Sequence, residues 1–309
     1  MIRNSKSPFG SARFWSLVII LLLIGTGMWF RSQRQVVYNQ PTNNLISQEE
    51  AKEIIPELKS EEKKLVQNDL DRIIQDADFV LPKHSKNDVS IIKHNGFVLK
   101  YNEEHEQADW VAYQLTSQEV MGTVKRSNDF LADPSVKTFS ATPQDYKNSG
   151  YDRGHLAPAG DMKWSHQSMN NCFLMSNISP QKREFNGGIW EHLESLMRKW
   201  AKAEKAIFIV TGPVLKDGID GKIGDKNKIS IPKYFYKVVL DMEQPDIKGI
   251  GFILANEFGD KPLKEYAVSI DEVERRTGFD FFPMLPDDLE NKLEAEKDVK
   301  KWRFYSRNR

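Results

Sequence analysis

The sequence predicts an α+β domain with a central, largely antiparallel sheet and flanking helices, preceded by a long N-terminal extension. Three observations lead there. Apolar runs of strand period recur from Asp88 onward, a strongly amphipathic stretch lies among them at Gly187 to Ala203, and the elements show no regular βαβ alternation. The first strand pair is the clearest. VSIIKHNGFVLKY sets Asn95-Gly96 between β-rich flanks, the strongest hairpin signal in the chain. Further strands are expected at Ala108 to Leu115, Ala206 to Thr211, Ile229 to Leu240 and Ile250 to Ala255. The stretch from Gly187 to Ala203 puts Ile189, Leu193, Leu196, Met197 and Trp200 on one helical stripe. Ser269 caps a short helix ending at Gly278, and Pro286 to Lys301 reads as a C-terminal helix.

The extension divides into three parts. Arg3, Lys6 and Arg13 make residues 1–13 a basic flank, and Phe14 to Phe30 then run for seventeen residues without a charge. As a helix that run spans roughly 26 Å, close to the ~30 Å hydrocarbon layer. Trp15 and Trp29 sit where interfacial aromatics lie, and no small-residue cleavage site follows. The reading is a single-pass signal anchor. The somewhat heavier basic flank on the N-terminal side favours an exported domain, in a bacterial periplasm or at the cell surface, ahead of a mitochondrial inner membrane. Residues 31–87 read as a polar tether and an acidic helical stalk, and 88–309 as the folded domain.

Composition narrows the function. The chain has 309 residues, with 44 Lys and Arg against 44 Asp and Glu, so any polyanion site must be a local patch. A single cysteine, Cys172, excludes an internal disulfide and a cysteine-built zinc finger.

The chemistry concentrates between Tyr151 and Glu194. In extended chain Arg153 and His155 share a face and Asp152 points away. Imidazole has an ordinary pKa near 6.5 and accepts a proton from water when nothing holds it protonated; Arg153 disfavours the imidazolium and offers a fork for phosphate. Asn186 precedes Gly187-Gly188 and the amphipathic stretch, so it reads either as a helix N-cap or as an oxygen ligand of a hard cation. Glu194 is eight residues further on, about 12 Å along a regular helix, which argues against direct ligation of one ion by both. It can instead reach a metal-bound water. Alone, Arg126 reads as a surface arginine and Asn177 as a turn residue.

Taken together, DRGH, SNISPQ, FNGGIW and LE, in that order and spacing, resemble the DNA/RNA non-specific nucleases of the ββα-metal group, with WVAYQL, VTGP and IPKYFYKVV extending the likeness over roughly residues 90–285. The resemblance implies a ββα-metal motif, His155 as general base and Asn186 as the sole direct protein ligand of Mg²⁺, with Mn²⁺ as a substitute. It implies Glu194 as a holder of metal waters, Arg126 and Arg153 on the scissile phosphate, and Asn177 as an orienting polar residue. DNA and RNA are the implied substrates. Two other readings stand beside this one: a zinc hydrolase built on His155, His166 and His192, and a membrane-tethered nucleic-acid-binding module with an inactive nuclease fold. The first matches no usual zinc spacing, and the complete set His155, Asn186 and Glu194 argues against the second.

Overall fold

The computed structural model describes residues 67–305. The expected anchor at 14–30, its basic flank, the tether and most of the stalk lie outside the described residues. Among the described residues no helix is long and apolar enough to cross a membrane.

Seven strands form one antiparallel sheet. In spatial order they are β1 (Ile91–His94), β2 (Phe97–Asn102), β3 (Gln107–Thr116), β6 (Ala206–Ile223), β7 (Ile229–Asp241), β8 (Lys248–Ala255) and β9 (Ala267–Val268). β4 (Asp152–His155) and β5 (Ile178–Gln181) make a separate antiparallel ribbon. The expected hairpin forms at Asn95-Gly96, with His94 opposite Phe97 and Gly96 at φ +97°. The strand period then sorts the side chains. On β3, Val111, Tyr113 and Leu115 enter one core while Trp110 and Ala112 enter the other; on β7, Phe235 and Val239 oppose Tyr236, Val238 and Leu240 in the same way.

Each face has its own cover. The first core takes α2 (Glu191–Ala203), which buries Leu193, Leu196, Met197 and Trp200, together with Leu156 and Ala157 after β4. α1 (His166–Asn171) lies between β4 and β5 and is capped by Ser165. The second core takes α3 (Ile270–Thr277) and α4 (Asp287–Ala295) through Ile270, Val273 and Leu293. Ser269 caps α3 as expected and Gly278 closes it in the left-handed region at φ +80°. α3 crosses β8 closely: a Cβ on Gly251 would stand 2.7 Å from Val273 Cγ2.

Three segments depart from expectation. Residues 67–81, read above as part of the stalk, pack on the second core. Residues 67–73 are helical, and Leu70, Phe79, Val80 and Leu81 are buried in the second core. At roughly 1.5–3 kcal/mol per large apolar side chain, these residues are part of what stabilises the sheet. The amphipathic helix also starts late. Phe185–Trp190 is a π-helical stretch broken at Gly188 (φ −113°, ψ −112°), and regular α-helix begins only at Glu191. The C-terminal helix ends at Ala295, with a 3-10 turn at Val299–Lys301.

Candidate active site

β4 is the platform. Its register sets Arg153 opposite Pro180, Gly154 opposite Ser179 and His155 opposite Ile178. Gly154 is required because a Cβ there would fall on the buried Gln181 amide. Arg153 and His155 do share a face, since both meet Phe130: the Arg153 guanidinium lies 4.1 Å from its ring centroid and the imidazole 5.5 Å. Phe173 makes the second wall. It meets His155 edge to face at 4.8 Å and carries the Arg126 guanidinium at 5.0 Å.

Arg126 reaches this face although it lies far from β4 in sequence. Its segment is docked by Leu131, whose N–H donates to the Phe173 carbonyl and whose carbonyl accepts from Met175 N–H at 2.8 Å. Arg126 and Arg153 are both exposed, while His155 is only 7% exposed. Its Nε2 has no hydrogen-bond partner among the described residues. Burial, followed by the charges of Arg126 and Arg153, lowers the His155 pKa to about 3. The imidazole is therefore neutral at neutral pH and free to accept a proton.

Asn177 is fully engaged. Its Oδ1 accepts from Ala157 N–H at 2.9 Å, and its Nδ2 donates to the carbonyls of Ala157 (2.9 Å) and Cys172 (2.8 Å). Its own carbonyl accepts from Leu156 N–H at 3.0 Å. The residue clamps the backbone that follows His155 and keeps no amide group for a substrate.

Asn186 is not a helix N-cap. It lies inside the π-helical stretch, with its N–H donated to the Lys182 carbonyl at 2.8 Å. Its Nδ2 donates to Asp152 Oδ2 at 3.1 Å. The amide is thus held through its nitrogen, and its oxygen is left without a donor among the described residues. Asp152 points away from the imidazole, as the strand period requires, yet it joins the site by holding Asn186; Arg183 stands 3.6 Å from its other oxygen. Glu194 is half-buried on α2. Burial raises its pKa, against the charge of Lys237.

Several of these residues were not singled out in the sequence. Phe130 and Phe173 carry no signal beyond aromaticity. Lys237 does carry one: a charged residue at an inward position of a buried strand, between Phe235 and Val239, and it is completely buried. Trp190 Nε1 donates to the His155 carbonyl at 3.4 Å, tying the start of α2 to β4. The three histidines of the zinc reading do not converge. Among the described residues the only close group of three potential metal ligands of the His, Cys, Asp and Glu types is Asp271, Glu274 and Glu294, which includes none of them.

An antiparallel ribbon leading into a helix beside a large antiparallel sheet has the fold of a ββα-metal nuclease. Residues 79–288 match the family model described as DNA/RNA non-specific endonuclease, and the chain belongs to that family. It is 39% identical over 204 residues to the mitochondrial nuclease EXOG of Danio rerio, which covers 61% of this chain and 59% of that protein. It is 35% identical to the mitochondrial nuclease of Saccharomyces cerevisiae, over 62% of this chain and 64% of that one. The shared region is thus about three fifths of those relatives. Among solved structures, a chain of the EndoG/EndoGI complex, described as showing the mechanism of EndoG inhibition, superposes with a TM-score of 0.59 at 29% identity. That alignment covers 63% of this chain and 86% of the other.

Proposed function

We propose that this protein is a divalent-metal-dependent, sequence-non-specific endonuclease that hydrolyses phosphodiester bonds of DNA and RNA. The observation that carries the reading is the pairing, on one strand, of a neutral His155 near two exposed guanidiniums with an Asp152 that holds the Asn186 amide by its nitrogen and leaves its oxygen without a donor among the described residues.

The donor set suits a hard cation. One amide oxygen without a hydrogen-bond donor, a half-buried carboxylate in Glu194 and no thiolate at the site match Mg²⁺, which keeps most of its waters and needs few protein ligands. Asn186 would hold the ion directly and Glu194 would accept hydrogen bonds from its waters. When bound, such an ion supplies charge neutralisation on the phosphate and at the departing 3′ oxygen.

The chain's own residues do the rest. His155 takes a proton from the attacking water, a general-base step typically worth about 10² to 10⁴ in rate. Arg126 and Arg153 grip the scissile phosphate and stabilise the negative charge that grows on it. Their contacts are to the backbone phosphate, which carries no base identity, so cleavage is expected to be indifferent to sequence.

The uncharged run at Phe14 to Phe30 would tether this activity to a membrane, with the domain exported in a bacterial envelope. The test is a nicking assay on supercoiled plasmid with the full chain. Cleavage in Mg²⁺, abolished by EDTA and restored by Mg²⁺ but not by Zn²⁺, supports the reading. Tight DNA binding without cleavage would instead identify an inactive nucleic-acid-binding module.

A further inference from the structure

The face of the sheet opposite α2 carries a group of acids that the nuclease reading leaves unused. Asp271 and Glu274 lie one turn apart on α3, and Glu290 and Glu294 one turn apart on α4. Asp271, Glu274 and Glu294 each offer an oxygen, and those oxygens lie within 4.8 Å of one another. Three carboxylates brought so close from two helices repel one another unless they share a cation or a proton.

Glu294 sets this group apart from an ordinary acidic surface. The residue is only 8% exposed, and its Oε1 is buried with no hydrogen-bond partner among the described residues. Glu290, one turn before it, buries its own Oε1 in the same way. A buried carboxylate without a donor or a counter-charge is costly. The basic side chains close by in sequence serve other acids: Arg275 pairs with Glu272 at 2.6 Å, Arg276 with Asp217, and Lys83 with Asp280 at 2.8 Å. The carboxylates are also held in place. Val273 and Leu293, their neighbours on the two helices, are fixed in the second core, and Glu274 Oε1 accepts from Phe281 N–H at 2.8 Å.

We propose that Asp271, Glu274 and Glu294 form a Ca²⁺ site that clamps α3 to α4 on the far side of the sheet from the nuclease site. The donors are all carboxylate oxygens, with no imidazole or thiolate among them, which selects a hard cation. Ca²⁺ binds six to eight oxygens at about 2.3–2.6 Å, so two on opposite sides of the ion stand about 4.6–5.2 Å apart, the spread that these three side chains allow. Its loose geometry accepts ligands from two separate helices, and the exposed Asp271 leaves that side of the ion open to water. Such an ion replaces repulsion between the helices with attraction and stabilises the fold by mass action. The site does not depend on the nuclease reading.

The experiment uses the full chain carrying Asn186→Ala, which removes the cation position proposed for the nuclease site. This chain and its Glu294→Gln derivative are stripped with EDTA, dialysed and titrated with Ca²⁺, by calorimetry and by thermal melts. The Asn186→Ala chain should bind one Ca²⁺ saturably, and its Tm should rise by about 5–10 °C at Ca²⁺ a hundredfold above Kd. Adding Glu294→Gln should abolish both the binding and the shift. Absence of saturable binding, or an equal shift in the two chains, overturns the proposal. A chain that ignores Ca²⁺ but gains stability as the pH falls toward 5 would show that the carboxyls share a proton instead, and also overturns it. Should Glu294→Gln not fold, Asp271→Asn alters only the exposed edge of the group. It should weaken Ca²⁺ binding, and an unchanged titration overturns the proposal.

Discussion

Phe173 meets the His155 imidazole edge to face, ring centroids 4.8 Å apart at 85°, and carries the Arg126 guanidinium at 5.0 Å from the same ring. Phe130 lies against His155 at 5.5 Å, tilted by 54°, and carries the Arg153 guanidinium at 4.1 Å. Two aromatic walls thus separate a buried base from two exposed cations. Cation–π contacts of this kind are worth roughly 0.5–2 kcal/mol each, enough to orient the guanidiniums without using up the donors that a phosphate needs.

The acid sensitivity of the fold should depend on His155. Its pKa is about 3 in the folded chain and near 6.5 unfolded, so between those values the unfolded state takes a proton that the folded state refuses. Stability is therefore lost as pH falls through that window, by up to about 1.4 kcal/mol per pH unit from this group. Urea melts of wild type and His155→Asn at pH 7, 5.5 and 4.5 should show the variant gaining on wild type as pH drops. A constant gap would refute the assignment.

Asn177→Ala removes three side-chain hydrogen bonds from a fully buried position and strands the polar groups of Ala157 and Cys172. A loss of roughly 3 kcal/mol or more in chemical denaturation is expected, with cleavage lowered because the backbone after His155 loosens. Wild-type stability would show that the clamp is dispensable.

Asp152→Ala leaves His155 and both arginines in place but frees the Asn186 amide to rotate. Mg²⁺ titrations of cleavage should shift to about 10- to 100-fold higher metal, with DNA binding near wild type. An unchanged titration would remove Asp152 from the site.

Gly251→Ala tests the packing of the far face. The new Cβ would stand 2.7 Å from Val273 Cγ2 and 2.9 Å from the Ser269 carbonyl, so α3 must move off β8. The expected cost is about 1–3 kcal/mol by thermal or urea melt, with specific activity retained, because this face lies opposite α2.

The sequence reported the large sheet well because its strands are apolar runs rich in β-branched and aromatic residues and its first turn is Asn-Gly. α3 was legible at both ends because Ser269 and Gly278 are unambiguous caps. What sequence could not reveal arises from contacts made at long range. The π-helical stretch over Phe185–Trp190 looks like the first turns of α2 in any periodicity count, and it is tied to β4 by long-range hydrogen bonds from Asn186 to Asp152 and from Trp190 to the His155 carbonyl. The core role of Leu70 and Phe79 was hidden by the charges around them. The individual site residues were recognisable through DRGH and FNGGIW, but the aromatic walls come from Phe130 and Phe173, which only the bridge at Leu131 and Leu174 brings to β4.

The central claim is that the His155 imidazole and the cation position at Asn186 serve one chemical step on one phosphate. Single-turnover DNA cleavage by His155→Ala, Asn186→Ala and the double variant measures this most directly, since groups acting as a unit have non-additive losses. The account predicts that the double variant is no slower than the slower single one. Losses that multiply, or His155→Ala cleaving at the wild-type rate, would contradict it.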